Sequence, residues 1–348
     1  MPNIDLTCRI QKTDEKKILL SHGGGGRLMN HLINDLIISN FNNEYLKKKH
    51  DGAVFKINKT KFAFSTDSYV INPIFFPGGD IGKLAVYGTV NDLSMCGACP
   101  LYLSVGLIIE EGFLKSDLEK IIISMKKAAD DTGIKLVTGD TKVVDKGKGD
   151  GLFINTAGIG IVEDGVDISP ENVKEGDVII LSGDIGRHGI AIMSLREGLE
   201  FESSIESDCD FLSDVTASIL KKTKNIHCFR DLTRGGLGSA LVEIAESAKV
   251  KIKLDENNIP ILDEVQGACE ILGLDPIFVA NEGRFITICP EETSKKVLQI
   301  IQSHPQGKNA NIIGKVEKSN EGLVILKTKL GTERIIDMLS GEQLPRIC

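Results

Sequence analysis

The acidic, turn-rich stretch from Val162 to Asp177, punctuated by Gly165, Pro170 and Gly176, divides this 348-residue chain into two halves. Single hydrophobic cores rarely grow beyond about 250–300 residues, so a break of this kind is read as a domain boundary. The order of elements on each side then limits the fold class. Before the break, Ala53–Ile57 and Phe62–Ser65 read as strands joined by the Asn58-Lys59-Thr60 turn. The glycine-broken run Pro77-Gly78-Gly79-Asp80 leads into an apolar helix over Ile81–Met95, and Leu101–Ile109, Lys135–Thr138 and Leu152–Ile161 read as further strands. Ser116 with Glu119 offers a capping box for a helix through Asp131, closed by Gly133. After the break, a strand over Val178–Ser182, a helix over Gly189–Leu199 and a helix ending at Ala248 continue the alternation to about Lys329. This interleaving predicts an α/β or α+β architecture in two domains, residues 27–162 and 163–338. Residues 1–26 are expected to be a flexible glycine-rich segment, followed by a helix with Leu28, Leu32, Leu36 and Ile37 on one face. Residues 339–348 are expected to be a mobile tail.

Composition removes several functional classes. A net charge of −8 argues against nucleic acid or an anionic membrane as the main partner. No apolar run reaches transmembrane length, and Met1-Pro2-Asn3-Ile4-Asp5 has no signal-peptide character, so the expected compartment is the cytoplasm. The eight cysteines are scattered, as reduced thiols are. Cys96 and Cys99 form a C-x-x-C, but no second ligand pair at zinc spacing accompanies them, and they read as small buried hydrophobes.

The first half places aspartates at the ends of apolar runs: Asp51, Asp67, Asp92 and Asp140. Carboxylates at strand ends gather hard oxygen donors, which suit Mg²⁺ together with substrate phosphates; singly, each equally suits a turn or a helix cap. Gly23, Gly24, Gly25 and Gly26 would let backbone N–H groups wrap phosphates, or would form a loose linker. The loop Ser182–Gly189 reads G-x-x-G-x-x-G and gives only a weak dinucleotide signal; His188 within it is a loop histidine or a catalytic one. Asp231-Leu232-Thr233-Arg234-Gly235-Gly236 precedes a helix. Glu282, between Asn281 and Gly283 after an apolar run, suits a base or a turn. The chain ends in Pro345-Arg346-Ile347-Cys348, a place where a thiol is hard to bury and easy to move.

Taken together, His22–Gly25, Phe64–Val70, Phe75–Lys83, Asn91-Asp92-Leu93, Thr138–Val144, Phe153–Gly158, Asp231–Gly236, Asn281-Glu282-Gly283 and Pro345–Cys348 resemble the HypE family of hydrogenase maturation factors. That family lies within the ATP-binding superfamily typified by aminoimidazole ribonucleotide synthetase, thiamine-monophosphate kinase and selenophosphate synthetase. The aspartate motifs are shared across the superfamily, and the terminal Pro-Arg-Ile-Cys is particular to HypE. The resemblance implies a two-domain aminoimidazole ribonucleotide synthetase-like (PurM-like) fold, with an N-terminal ATP-binding domain that pairs its sheet into a homodimer and a C-terminal α+β domain. It implies that Cys348 receives a carbamoyl group from a HypF-like carbamoyltransferase. ATP then drives its dehydration to a thiocyanate, and the cyanide passes to iron on a HypC–HypD scaffold for [NiFe]-hydrogenase. By the same resemblance, Gly23, Gly24, Gly25, Gly26, Asp51, Asp67, Lys83, Asn91, Asp92, Asp140, Thr141 and Asn155 are expected to bind the nucleotide. Asp51, Asp67, Asp92 and Asp140 would hold Mg²⁺. Lys142 and Glu282 would handle the tail and its proton, with His188 and Asp231 as weaker candidates.

The chemistry is coherent with these residues. An amide oxygen is a poor leaving group, and phosphorylation makes it a good one; phosphoryl transfer then needs positioning and charge neutralisation. Ten extended residues from Leu339 reach at most about 33 Å, enough to swing Cys348 between two sites. Arg346 is expected to oppose the terminal carboxylate, which would otherwise suppress the thiolate. Two rivals remain open: a small-molecule kinase or synthetase built on the same aspartates, and a non-catalytic thiol carrier.

Overall fold

The computed structural model describes residues 17–198, 205–341, 344 and 346–348. In the first half, α1 (Arg27–Leu32) passes through a π-helical turn, Ile33–Ile38, into α2 (Ser39–Phe41). There follow β1 (Ala53–Ile57), β2 (Thr60–Tyr69), the two-stranded ribbon of β3 (Phe75–Phe76) and β4 (Gly79–Asp80), α3 (Ile81–Met95), β5 (Ala98–Glu110), α4 (Lys115–Thr132), β6 (Lys135–Val144) and β7 (Leu152–Val162). The five-stranded sheet runs β1-β2-β7-β5-β6, antiparallel except where β6 joins β5 in parallel.

Asp80 starts the helix on which this half is organised. Its carboxylate accepts the backbone N–H groups of Gly82 (2.7 Å) and Lys83 (3.1 Å), satisfying two donors that an α-helix leaves orphaned. Helix α3 is apolar on nearly every side and is buried on nearly every side, as such a helix must be. Tyr87 and Val90 pack under the first sheet with Ile121 and Met125 of α4. Leu93, Met95 and Cys96 join the core of the second half.

The second half comprises β8 (Asp177–Leu181), α5 (Arg187–Glu197), α6 (Ser213–Lys222), β9 (Cys228–Asp231), α7 (Gly236–Ala248), β10 (Val250–Asp255), α8 (Asp263–Leu272), β11 (Phe285–Pro290), α9 (Glu291–Gln302), β12 (Asn311–Lys318), β13 (Leu323–Lys327) and β14 (Glu333–Ile336). Its seven-stranded sheet runs β14-β13-β10-β12-β8-β11-β9. Strand β8 is buried along its whole length, with Ile179 and Leu181 packed on the α7 side and Val178 and Ile180 on the α6 and α9 side. A strand covered on both faces reads as an unbroken apolar run, which is what Val178–Leu181 shows.

Several local expectations change. The strand expected over Phe62–Ser65 extends to Tyr69, carrying Asp67 inside the sheet, and the one expected over Lys135–Thr138 extends to Val144. The capping box at Ser116 does not form: α4 begins one residue earlier, behind Leu114, with no side chain on its first N–H groups. The face of the first helix is only partly covered, with Leu36 58% and Ile37 41% exposed. Helix α5 starts at Arg187, and the expected end at Leu199 lies outside the described residues.

Candidate active site

The carboxylates come together where α3 meets the C-terminal end of β9. Asp51, just ahead of β1, sets one oxygen 3.0 Å from Arg230 Nε, while its other oxygen is buried without a hydrogen-bond partner. Asp92, in the last turn of α3, accepts the Ser65 hydroxyl at 2.5 Å. Burial pushes its carboxyl well above the usual range, and Asp231, Asp67 and Asp51 add to the effect. Asp231 closes β9 and is raised for the same reasons, by burial and then by Asp51, with Arg230 opposing. Asp67, at the end of β2, is also raised by burial, against the pull of Arg234 3.7 Å away. Asp51, Asp67 and Asp92 were legible candidates. Asp231, expected only as a weaker candidate for handling the tail and its proton, joins them.

Asp140 does not join them. Register carries Ser68 to Asn155, Asn155 to Gly106 and Gly106 to Asp140, three strand spacings or about 14 Å across the sheet. There Asp140 and Lys142 pair with each other at 2.6 Å on the exposed edge strand, and the Lys142 hydrogen bond holds the Asp140 carboxyl below its usual range. The expected placement of Lys142 beside the tail is therefore not what this single chain shows. Its ammonium is committed to Asp140. Thr141 lines a 650 Å³ apolar cavity under the edge strand, with Val86 and Met125. Asn155 lies on the exposed face of the sheet, donating to the backbone carbonyl of Asp67 and to Ser68 Oγ at 2.9 Å each. Lys83 is turned away, with Nζ 2.9 Å from Gly78 O. Asn91 is a tie between the halves: its amide donates to Asp210 O and Glu282 O and its oxygen accepts Leu212 N–H, so neither N–H is left for a nucleotide.

The glycine segment is packed rather than loose. A Cβ on Gly25, whose φ is +74°, would lie 2.8 Å from Arg234 O, and one on Gly26 would lie 2.5 Å from Leu339 O. Arg234 NH1 reaches Gly23 O at 3.3 Å, and Arg27 N–H donates to Leu339 O at 2.9 Å. Gly23 is left exposed on the outer side of this turn, so the segment covers Arg234 and abuts the root of the tail.

The end of the tail is docked, not free. Val70 N–H donates to Cys348 O (3.1 Å) and Asn72 N–H to Arg346 O (3.4 Å). His188, wholly buried, bonds Ile347 O through Nε2 at 2.7 Å. Cys348 is 7% exposed. Arg346 does not face the terminal carboxylate as expected: its guanidinium donates to Val70 O and pairs with Asp150. The cation that faces Cys348 is Arg234, which sequence reasoning left without a role; Cys348 is the largest influence on it. Its one local signal is being the cation in a motif whose next two residues, Gly235 and Gly236, both adopt positive φ.

Glu282 completes the site. It lies in the loop before β11, fixed from both sides. Asn281 accepts Gly186 N–H at 2.7 Å and donates to Leu232 O and Val279 O, while Arg284 pairs with Asp184 at 2.9 Å. Asp208 accepts the backbone N–H of Glu282 and Gly283. The carboxyl itself is 4% exposed, with Oε1 unpartnered. Burial, then Asp231 and Asp67, push its pKa well up.

Burial also pushes the Cys348 thiol to about 12; Arg234 opposes this, and Glu282 and Asp67 reinforce it. At neutral pH the docked sulfur is a thiol, not a nucleophile. A group whose pKa is higher docked than free is held most firmly in its protonated form. Docking is then fully favoured below the free thiol value of 9.0 and is lost as pH rises from there toward about 12. Alkylation of Cys348 is therefore expected to accelerate over that interval by more than a free thiol does, as a peptide of the tail would show in the same assay.

The paired sheets and the interdomain carboxylates define a class. Residues 49–162 match the N-terminal domain, and residues 174–327 the C-terminal domain, of AIR synthase related proteins, so the fold is the two-domain PurM-like one. Within that class, carbamoyl dehydratase HypE of Azotobacter vinelandii is 50% identical over 327 residues, covering 94% of this chain and 96% of that one. The chain belongs to the HypE family of carbamoyl dehydratases. A crystal structure of HypE in complex with ATP superposes with a TM-score of 0.81 at 44% identity, covering 95% of this chain and 100% of the other. One of a HypE–HypF complex superposes at 0.84, also 44% identical, over 88% and 99%. Among the described residues, no helix is long and apolar enough to cross a membrane.

Proposed function

We propose that this chain uses ATP to dehydrate a carbamoyl group carried on its own Cys348, forming a thiocyanate whose cyanide is destined for the iron of [NiFe]-hydrogenase. The observation that carries the reading is the docking of Cys348 in the buried space where the charges of Arg234, Glu282, Asp67 and Asp231 all act on its thiol, with Glu282 Oε1 itself buried and unpartnered. The carbamoyl oxygen attacks the γ-phosphorus of ATP and ADP leaves. The C–O bond then breaks as phosphate departs, both N–H protons are lost, and C≡N forms. With Arg234 and a bound cation offsetting the carboxylates that hold it protonated, Glu282 would ionise and accept an N–H proton, and Arg234 balances charge on the departing phosphate. The relative solved with ATP supports nucleotide binding here; Gly23–Gly26, packed over Arg234, would lie over the phosphates.

Mg²⁺ fits the donor set: the carboxylates of Asp51, Asp67, Asp92 and Asp231 are hard oxygen ligands that repel one another, and one Asp51 oxygen lacks a partner. No group of three acidic, histidine or cysteine side chains is already drawn round one point among the described residues, so the nucleotide phosphates would supply the remaining ligands. Bound there, the ion would neutralise phosphate charge.

A thiol held protonated inside the protein cannot accept the carbamoyl group in place, so the tail must leave to meet a HypF-like transferase, the partner seen in the HypE–HypF complex, and then return. It would leave again to hand cyanide to a HypC–HypD scaffold. The open face of the first sheet exposes Phe64 (44%), Tyr102 (47%) and Ile108 (44%) and suits pairing with a second copy. Asp140 and Lys142 lie on that face and would enter the interface. The test is ATP turnover on protein carrying a carbamoyl group: one ADP per carbamoyl group is expected, and none with Cys348→Ala. Turnover that ignores Cys348 would instead favour a kinase acting on a diffusible substrate.

A further inference from the structure

We propose that His188 is the positioning residue of the tail, setting where Cys348 stops by binding the carbonyl of the residue before it. The inference rests on the reading that the group on Cys348 reacts in the docked position.

The carbonyls of Arg346 and Cys348 both face Val70 and Asn72, whose N–H groups they accept. The carbonyl of Ile347 faces the other way, into the second half, and a buried carbonyl needs a donor. His188 supplies it at 2.7 Å. Since a carbonyl only accepts, the hydrogen is on Nε2; in a neutral ring Nδ1 is then bare and accepts the Ser207 hydroxyl, 2.7 Å away. Ser207 Oγ in turn accepts Cys209 N–H at 3.0 Å, so the tautomer is fixed from outside the ring. Phe76 meets the ring edge-on at 5.5 Å and 89°, which removes its freedom to tilt. Desolvation by burial lowers the His188 pKa, outweighing Asp208, and keeps the ring neutral near pH 7.

The local sequence is arranged for this. His188 lies at the start of α5, and a side chain on Gly189 would meet Leu344 of the tail at 3.0 Å as well as crowding Val279. The loop that reads as a weak dinucleotide motif therefore receives the tail. His188 touches no reacting atom. It acts one residue away, and one Cα–Cα step of about 3.8 Å passes any displacement of Ile347 to the sulfur. Misplacement of a reacting group by about 1 Å can cost about a hundredfold.

The experiment uses the full-length protein and two readouts. In wild type, His188→Leu and His188→Gln, the single-turnover loss of water from carbamoylated Cys348 with Mg-ATP is followed by intact mass. Alkylation of uncarbamoylated Cys348 is followed at neutral pH. His188→Leu is expected to slow dehydration by about 30–100-fold and to speed alkylation by about tenfold or more, with ATP affinity and transfer of the carbamoyl group to the protein changed less than about twofold. His188→Gln, which restores an N–H donor, should recover dehydration to within about fivefold of wild type. Ser207→Ala, which frees the tautomer without opening a large cavity, should give a drop of about three- to tenfold and serves if the leucine variant does not fold. Wild-type rates in both readouts for His188→Leu, or no recovery in a folded glutamine variant, would overturn the proposal. Alkylation needs no carbamoyl donor, so it still decides on His188 if the wild-type protein never dehydrates and the proposed chemistry fails.

Discussion

Glu282→Gln is expected to make the protein more stable and to stop the reaction. Burial and the neighbouring Asp231 and Asp67 raise the Glu282 pKa, so its ionised form is disfavoured in the fold. The sign follows from linkage: stability from a carboxyl of this kind is present below its unfolded value, about 4.3, and declines as pH rises through the folded value. A glutamine never ionises and escapes that decline. Its melting temperature should exceed wild type at neutral pH by a few degrees and converge with it near pH 4. Loss of a positioned proton acceptor should lower the dehydration rate by about 10²–10⁴ while carbamoylation of Cys348 and nucleotide binding continue. Calorimetry across pH, paired with single-turnover mass measurements, separates these effects. A glutamine variant that dehydrates at the wild-type rate would remove Glu282 from the mechanism.

Asp231→Asn carries the second large effect. The four carboxylates of Asp51, Asp67, Asp92 and Asp231 share Arg230 and Arg234 as counter-charges, and Arg230 is also paired with Glu243. Burial works against the charge on Arg230, yet Asp51 and Glu243 more than offset it and keep it protonated. Removing one negative charge from this cluster relieves repulsion when no cation is present, so the asparagine variant should melt at or above the wild-type temperature. With Mg-ATP the order reverses, because the charge that repelled the other carboxylates is the one that attracts the ion. Nucleotide affinity should fall by about tenfold or more in magnesium and change little in its absence, and dehydration should fall by about a hundredfold. Titration with and without magnesium checks this. Equal affinity in both conditions would place the metal elsewhere.

The parts of this site that the sequence discloses are those whose signal is local. Strands and helices follow apolar runs, and Asp51, Asp67 and Asp92 stand out because each flanks one. Asp140 carries the same local signal, and only strand order, with β6 added in parallel at the far edge, shows that it lies about 14 Å along the sheet. Asp231 and Arg234 arrive from a motif more than a hundred residues from Asp51, Asp67 and Asp92, through the contact of α3 with β9. The partner of His188 is a backbone carbonyl 159 residues away, and a carbonyl has no letter in the sequence. The cysteine itself is legible as a terminal thiol. What was not legible is that the tail docks, that Arg234 rather than Arg346 faces it, and that burial makes it unreactive there.

The central claim is that Cys348 carries the substrate and that this chain dehydrates it. The most direct measurement is the intact mass of the carbamoylated protein, incubated with and without Mg-ATP. The account predicts loss of one water from the modified tail peptide only when Mg-ATP is present, and no modification at all in Cys348→Ala. A carbamoylated protein that keeps its full mass while ATP and magnesium are bound would contradict it.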